Sequence, residues 1–226
     1  MVKEEEYFNR QIQLWGDEIQ KELKNKHIAI IGCGGLGCSL GIALGASGIG
    51  KITLVDFDEV SVHNIHRQIG FKIGDEGRAK CDVLKQLLQK RSPFVQVDAI
   101  NGSFDDFALL EIDSIDLILD ATDNLPTRVK IDTFAKKKQI AWIYGSVEEF
   151  HGQVCFFDKA SFSSIFDVKK ITPKGIACPM VMNIASIQAN FAIRYLAGFN
   201  VKKDYLNYIF YNEDGELVHQ KFGLPI

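Results

Sequence analysis

Apolar residues keep two rhythms along the first two thirds of the chain. Short runs rich in Ile, Leu and Val, at 27–31 (HIAII), 51–55 (KITLV), 94–100 (FVQVDAI), 115–120 (IDLILD) and 140–145 (IAWIYG), predict buried strands. Between them, residues 36–48, 78–91, 104–112 and 125–138 carry the three- and four-residue spacing of helices. Strands alternating with helices mean crossover connections and a mostly parallel sheet covered on both faces. Upstream, Phe8, Ile12, Trp15, Ile19 and Leu23 form one stripe and predict a helix over 4–24.

After Gly145 the rhythm changes. GQVCFFD (152–158) and YLNYIFYN (205–212) read as strands without a crossover helix between each pair, so antiparallel additions are expected. Residues 158–177 have no period and predict a long loop, a feature that in a compact domain often carries function. Pro179 suits the first turn of a helix running to about Ala197 and closed by Gly198. No repeat, low-complexity tract or linker divides the chain. The expectation is one domain over 1–226, of α/β class. Its sheet is Rossmann-like and mixed, mostly parallel with antiparallel C-terminal strands, with helices on both faces.

Composition narrows the function classes. A formal charge of −3 weighs against a nucleic-acid partner read by a basic face. The most apolar helical window, 179–196, is broken by Asn183, Ser186, Gln188, Asn190 and Arg194, so no membrane span is expected. The N-terminus is acidic and polar where a secretory leader would be basic and then apolar. Five cysteines, an odd number without a C-x-x-C pair, point to reduced thiols in the cytoplasm and to no zinc site.

The chemistry concentrates in four stretches. HIAIIGCGGLG sets Gly32, Gly34, Gly35 and Gly37 between a strand and a helix, a turn that presents backbone N–H groups to phosphate. It suits NAD and ATP alike. Asp56 follows about 20 residues after the last glycine, where an acid meets ribose hydroxyls of either nucleotide. VDFDEVSVHNIHRQ then adds Asn64 and Arg67, and DEGRAKCDVL adds Arg78 and Lys80. Such cations and amides suit a triphosphate whose charge shifts in the transition state. LILDATDNLPTR sets Asp120 at a strand end and Asp123 and Asn124 just beyond, where a carboxylate would hold Mg²⁺. Taken singly, Arg67 reads equally as a structural ion pair, Lys80 as a solvated helix charge and Asp120 as a helix cap.

Together these blocks resemble the ThiF/MoeB/HesA adenylyltransferases, relatives of the adenylation domains of ubiquitin-activating enzymes. YFNRQIQLWG looks like the family's opening R-Q-I segment, IIGCGGLG its glycine loop, and VDFDEVSVHNIHRQ its D-x-D-x-V-x-x-x-N-x-x-R-Q block. DATDNLPTR looks like its D-x-x-D-N-x-x-x-R block, and HGQVCFF and GIACPMVMNIASIQANFAIRYLAG its G-Q-V strand and late helix. The resemblance covers most of the chain.

It implies that Gly35 approaches the phosphates, Asp56 binds ribose, and Asn64, Arg67 and Lys80 hold the triphosphate. Asp123 would organise Mg²⁺ with Asn124 beside the nucleotide. Arg10 would reach into the other subunit of a homodimer. The implied reaction is ATP-dependent adenylylation of the C-terminal Gly-Gly carboxylate of a small ubiquitin-like sulfur-carrier protein, with release of pyrophosphate. The pathway served would be thiamin or molybdopterin biosynthesis.

Two departures stand out. Many relatives bind zinc through two C-x-x-C pairs flanking the long loop, and this chain has neither pair. The cysteine that many relatives carry in that loop is missing from 158–177, and the nearest is Cys178. Cys178 precedes a helix start, where a thiolate is stabilised. Phe162 and Phe166 of the loop are candidates for a lid, a docking surface or packing beneath it. The competing readings are an NAD-dependent oxidoreductase and a non-catalytic partner subunit of the same fold.

Overall fold

The computed structural model describes residues 2–110, 112, 114–166 and 175–226. Among these, eight strands form one sheet in the order β3-β2-β1-β4-β5-β6-β7-β8. The first five, β1 (His27–Ile31), β2 (Lys51–Asp56), β3 (Gln96–Asn101), β4 (Leu117–Asp120) and β5 (Ala141–Glu148), run parallel. The last three, β6 (His151–Phe157), β7 (Tyr205–Tyr211) and β8 (Leu217–Gly223), run antiparallel to their neighbours. The expected fold class holds.

Helices cover both faces because the central strands are apolar on both. On one face lie α3 (Gly35–Gly45), α5 (Lys80–Arg91) and α8 (Cys178–Leu196), packing Leu40, Leu84 and Ile184 against Ile28, Ile30 and Leu119. On the other, α6 (Phe104–Leu109) and α7 (Leu125–Lys138) pack Phe107 and Ile131 against Ala29, Ile31 and Ile118. Strand β1 is buried along its whole length, as a central parallel strand must be.

The N-terminal segment divides into α1 (Glu4–Tyr7) and α2 (Asn9–Leu23), and Gly16 (φ +85°) kinks α2 where one helix was expected. Its start is anchored at the end of the sheet where the parallel strands begin. There Phe8 packs on Phe94 with ring centroids 5.5 Å apart, and Gln11 Nε2 donates to the Ser47 carbonyl at 2.9 Å, just past α3.

Several boundaries move for identifiable reasons. Strand β3 begins at Gln96, because Phe94 is drawn to Phe8 and Tyr7. Strand β5 continues to Glu148, because β6 goes on pairing with it after β4 has ended. Helix α5 begins at Lys80, which leaves Arg78 in the preceding turn. Strand β8 was not expected; its side chains are mostly exposed, so no alternating apolar pattern marks it. Of the long loop, 167–174 lie outside the described residues. Phe162 is fully buried against Trp142, Tyr144, Phe157 and Phe166, so of the three readings of this pair packing is the one observed. No helix among the described residues is long and apolar enough to cross a membrane.

Candidate functional site

From β1 the chain adds β2 and β3 on one side, then crosses to β4 on the other. Beyond the carboxyl ends of β1 and β4 this reversal opens a crevice, the usual ligand position in open parallel sheets. The glycine turn, the segment after β2 with its short helix α4 (Val62–Ile65), the start of α5 and the turn after β4 all lead to it.

The glycine turn is locked by close contacts. Gly32 has φ +96°, and a Cβ there would stand 2.6 Å from the Ala121 carbonyl oxygen. A Cβ on Gly37 would lie 1.9 Å from the Gly32 carbonyl oxygen, so the first turn of α3 can close only on a glycine. Gly34 precedes α3, and Gly35 opens it with the Arg67 carbonyl oxygen 3.2 Å from its would-be Cβ. The amide-rich start of α3 therefore faces the crevice with Arg67 running alongside.

Asp56, at the end of β2, ties the second segment to the first. One carboxylate oxygen accepts from the Cys33 N–H at 2.5 Å and the other from the Asp58 N–H at 2.7 Å. Burial pushes its pKa up, opposed by those two N–H donors and by Lys80. Each oxygen retains a lone pair for a further donor such as a ribose hydroxyl. Lys80 is nearly buried, and its Nζ pairs with the half-exposed Asp58 at 2.7 Å. It is not a solvated helix charge. Arg67 donates from Nη2 to Asn64 Oδ1 at 2.9 Å, and its Nη1 lies 2.9 Å from His66 Nε2. That engages the Asn64 oxygen and leaves the amide nitrogen for a ligand.

The turn after β4 separates two carboxylates that look alike in sequence. Asp120 is fully buried, accepting from Arg128 Nε at 3.1 Å and from the Thr122 N–H and hydroxyl at 2.9 and 2.6 Å. Burial pushes its pKa up, and Arg128 is the strongest opposing influence. It holds the turn and does not cap α7, whose N-cap is Asn124. Asp123 is exposed and has no ion-pair partner among the described residues. Asn124 caps α7, its Oδ1 accepting from the Thr127 N–H at 3.0 Å, so only its amide nitrogen remains for a nucleotide. Arg78 is spent on Asp75 and Gln86, each at 2.7 Å, and offers no free charge.

Arg10 stands apart from this cluster. It lies on the exposed side of α2, with Gln13 Oε1 at 3.3 Å, next to the Gln11 that binds Ser47 beyond the far end of α3. The 11 residues of α3 separate that end from the glycine turn, about 16 Å of helix.

Four residues of the region escaped the sequence reading: Asp58, Gln68, Arg128 and Gln188. Gln68 is nearly buried beneath Gly34, its Nε2 3.4 Å from where a Cβ would be. Asp58 and Arg128 stand inside motifs already noted, and Gln188 is the amide that interrupts the apolar face of α8.

Residues 8–221 match the model of the ThiF family. The chain belongs to the ThiF family. The molybdopterin-synthase adenylyltransferase of Escherichia coli is 31% identical over 204 residues, covering 85% of this chain and 82% of that protein. The sulfur carrier protein adenylyltransferase of Thermus thermophilus is 36% identical over 143 residues, 63% of this chain and 53% of that protein. In fold the chain matches the crystal structure of E. coli MccB with ATP at a TM-score of 0.81 and 20% identity, covering 96% of this chain and 72% of that one.

Among the described residues, no group of three or more His, Cys, Asp or Glu could hold a metal ion. A Mg²⁺ bound chiefly by phosphate oxygens and water asks for only one or two protein carboxylates, and the donor chemistry of Asp123 fits that demand.

Proposed function

We propose that the protein catalyses ATP-dependent adenylylation of the C-terminal carboxylate of a ubiquitin-like sulfur-carrier protein ending in Gly-Gly. The observation that carries the reading is the gathering of Asp56, Asn64, Arg67 and Lys80 around the glycine turn of a ThiF-family chain. The relatives named for adenylylating molybdopterin synthase and a sulfur carrier support the choice of substrate. The NAD reading is disfavoured, because a dinucleotide has no use for this cationic row beside the ribose acid.

In this reading Asp56 takes the ribose hydroxyls, and the glycine turn with Gly32, Gly34, Gly35 and Gly37 lets the phosphates approach backbone N–H groups. Arg67, held by Asn64, and Lys80, released from Asp58, take the charge that develops on the phosphates. Asn124 turns its amide nitrogen toward the nucleotide. Asp123 would hold Mg²⁺, which supplies charge neutralisation on the phosphates. A carboxylate oxygen of the carrier attacks the α-phosphorus, the bond from that phosphorus to the bridging oxygen breaks, and pyrophosphate leaves with the electron pair. The product is an acyl adenylate, open to a later nucleophile.

Arg10 lies near the far end of α3, about 16 Å of helix from its own glycine turn, which supports a role in the site of a second copy in a homodimer. Five cysteines that form no disulfide, four of them buried, suit a cytoplasmic protein. The test is exchange of labelled pyrophosphate into ATP with a Gly-Gly sulfur-carrier protein from the same cell. Exchange should require the carrier's terminal carboxylate; a purified, ATP-binding protein that exchanges with no such carrier would overturn the reading.

A further inference from the structure

Strands β4 and β5 part at the edge of the crevice. Their last paired residues are Leu119 and Ile143; β4 then turns away through Ala121, Thr122 and Asp123, while β5 runs on beside β6. At such a parting the backbone carbonyls lose their ladder partners and must be satisfied otherwise. Two side chains do this from opposite faces of the sheet. From α7, Arg128 Nη2 donates to the Thr122 carbonyl at 2.6 Å and the Gly145 carbonyl at 3.2 Å. From α8, Gln188 Nε2 donates to the Asp120 carbonyl at 2.9 Å and reaches the Ile143 carbonyl at 3.5 Å.

Gln188 is an odd choice if packing alone were served. It is fully buried, and its Oε1 has no hydrogen-bond partner among the described residues. A buried orphan acceptor is unfavourable, and an apolar side chain of the same shape would avoid it. The site is nevertheless shaped for this amide: a Cβ on Gly145 would lie 2.3 Å from the Gln188 Cδ. What the amide secures is the chain just beyond Asp120. Ala121 there presses its carbonyl on Gly32 and its Cβ on Gly37, and Asp123 follows two residues later.

We infer that Gln188 is a positioning residue for adenylylation, fixing the turn that carries Asp123 and abuts the glycine loop, without touching the nucleotide. The inference rests on the adenylyltransferase reading, so carrier-dependent pyrophosphate exchange by the wild type comes first and settles that separately. Gln188→Met keeps the length and removes donor and orphan acceptor together. It also strands the Asp120 carbonyl, so it should melt somewhat lower than the wild type, yet fold and bind a non-hydrolysable ATP analogue within about threefold. Its kcat for exchange should fall by about tenfold or more, with the KM for ATP little changed, as expected when a group near the chemistry is displaced. Gln188→Glu supplies the rescue: a protonated carboxyl donates to the Asp120 carbonyl and an ionised one cannot. Burial raises the pKa of such a carboxyl, so this variant should be active at low pH and lose kcat as pH rises, unlike the wild type. Wild-type kcat in a folded Gln188→Met protein would overturn the inference. So would a Gln188→Glu pH profile that matches the wild type, even if Gln188→Met fails to fold.

Discussion

The position of Arg10 makes the strongest demand on the proposed chemistry. It sits on α2 next to Gln11, which is bonded to Ser47 beyond the far end of α3. The glycines that open α3 lie about 16 Å away along the helix, while Lys80 is already in the cluster through Asp58. In the shared-site reading Arg10 acts across a dimer, and the two residues then belong to different chains at each site. Arg10→Ala and Lys80→Ala should each lose about 10²-fold or more in exchange rate, the scale for removing one donor from developing charge. Lys80→Ala also strands Asp58, but that carboxylate is half exposed and water can take the place of the lost ammonium.

Mixing the two variants tests the arrangement directly. With random re-pairing of equal amounts, half the dimers are mixed. Each mixed dimer has one site lacking both groups and one site lacking neither, so about a quarter of wild-type activity should return. The assay is carrier-dependent pyrophosphate exchange before and after incubation of the mixture, with subunit exchange followed by mass-tagged chains. Exchange of subunits without any return of activity would place Arg10 in its own chain's site or outside the reaction, and the shared-site model would fail.

Other outcomes follow from the same geometry. Calorimetry should show MgATP binding and no NAD(H) binding; the reverse would restore the oxidoreductase reading. Asp123→Ala should lose about 10²-fold or more in exchange, through loss of the carboxylate proposed to hold Mg²⁺, while Cys178→Ala should retain exchange because attack on the α-phosphorus needs no thiol. Native alkylation read by mass spectrometry should spare Cys33, Cys38, Cys81 and Cys155, all buried, with the Cys38 thiol pushed up to about 12 and Cys81 to about 11, and label the partly exposed Cys178 first. For Asp56 the folded pKa lies above the unfolded one, so folding takes up a proton between the two. Its ionised form therefore opposes folding most above the raised value, and that penalty fades as pH falls through it. The melting temperature of Asp56→Asn relative to wild type should accordingly be higher at pH 7 than at acid pH below the raised value, and a constant difference across that range would contradict the sign of the shift.

The legibility of the fold came from its parallel half. Strands buried on both faces must be continuously apolar, and the helices between them show a period, so both leave marks in sequence. The antiparallel edge leaves fewer: β8 exposes most of its side chains and is held by backbone pairing to β7, which carries no side-chain signature. Helix and strand ends were displaced where a long-range contact decided them, as Phe94 shows by leaving β3 for Phe8. The residues gathered at the crevice were visible because a turn, an acid and cations recur at set distances along one strand–helix unit. Asp120 and Asp123 show the limit of that method, since both follow β4 and only burial beside Arg128 tells the structural carboxylate from the free one.

The same limit explains why Gln188 stayed hidden. In sequence it is a polar break in an apolar helix, useful only for rejecting a membrane span. Its significance depends on three separate events: β4 ends after Asp120, β5 does not end at Ile143, and Gly145 leaves room for an amide between them. None of these is local to α8. A site assembled from strand ends needs its strands to part, because the turns that hold ligand must leave the ladder. The carbonyls freed by that parting then need donors that are not ligand. Arg128 and Gln188 supply them from the two layers of helices, so the geometry of the crevice is set jointly by both faces of the sheet. On this argument, substitutions behind the sheet should change catalysis more than their distance from the nucleotide suggests, and Gln188 is where that effect should be largest.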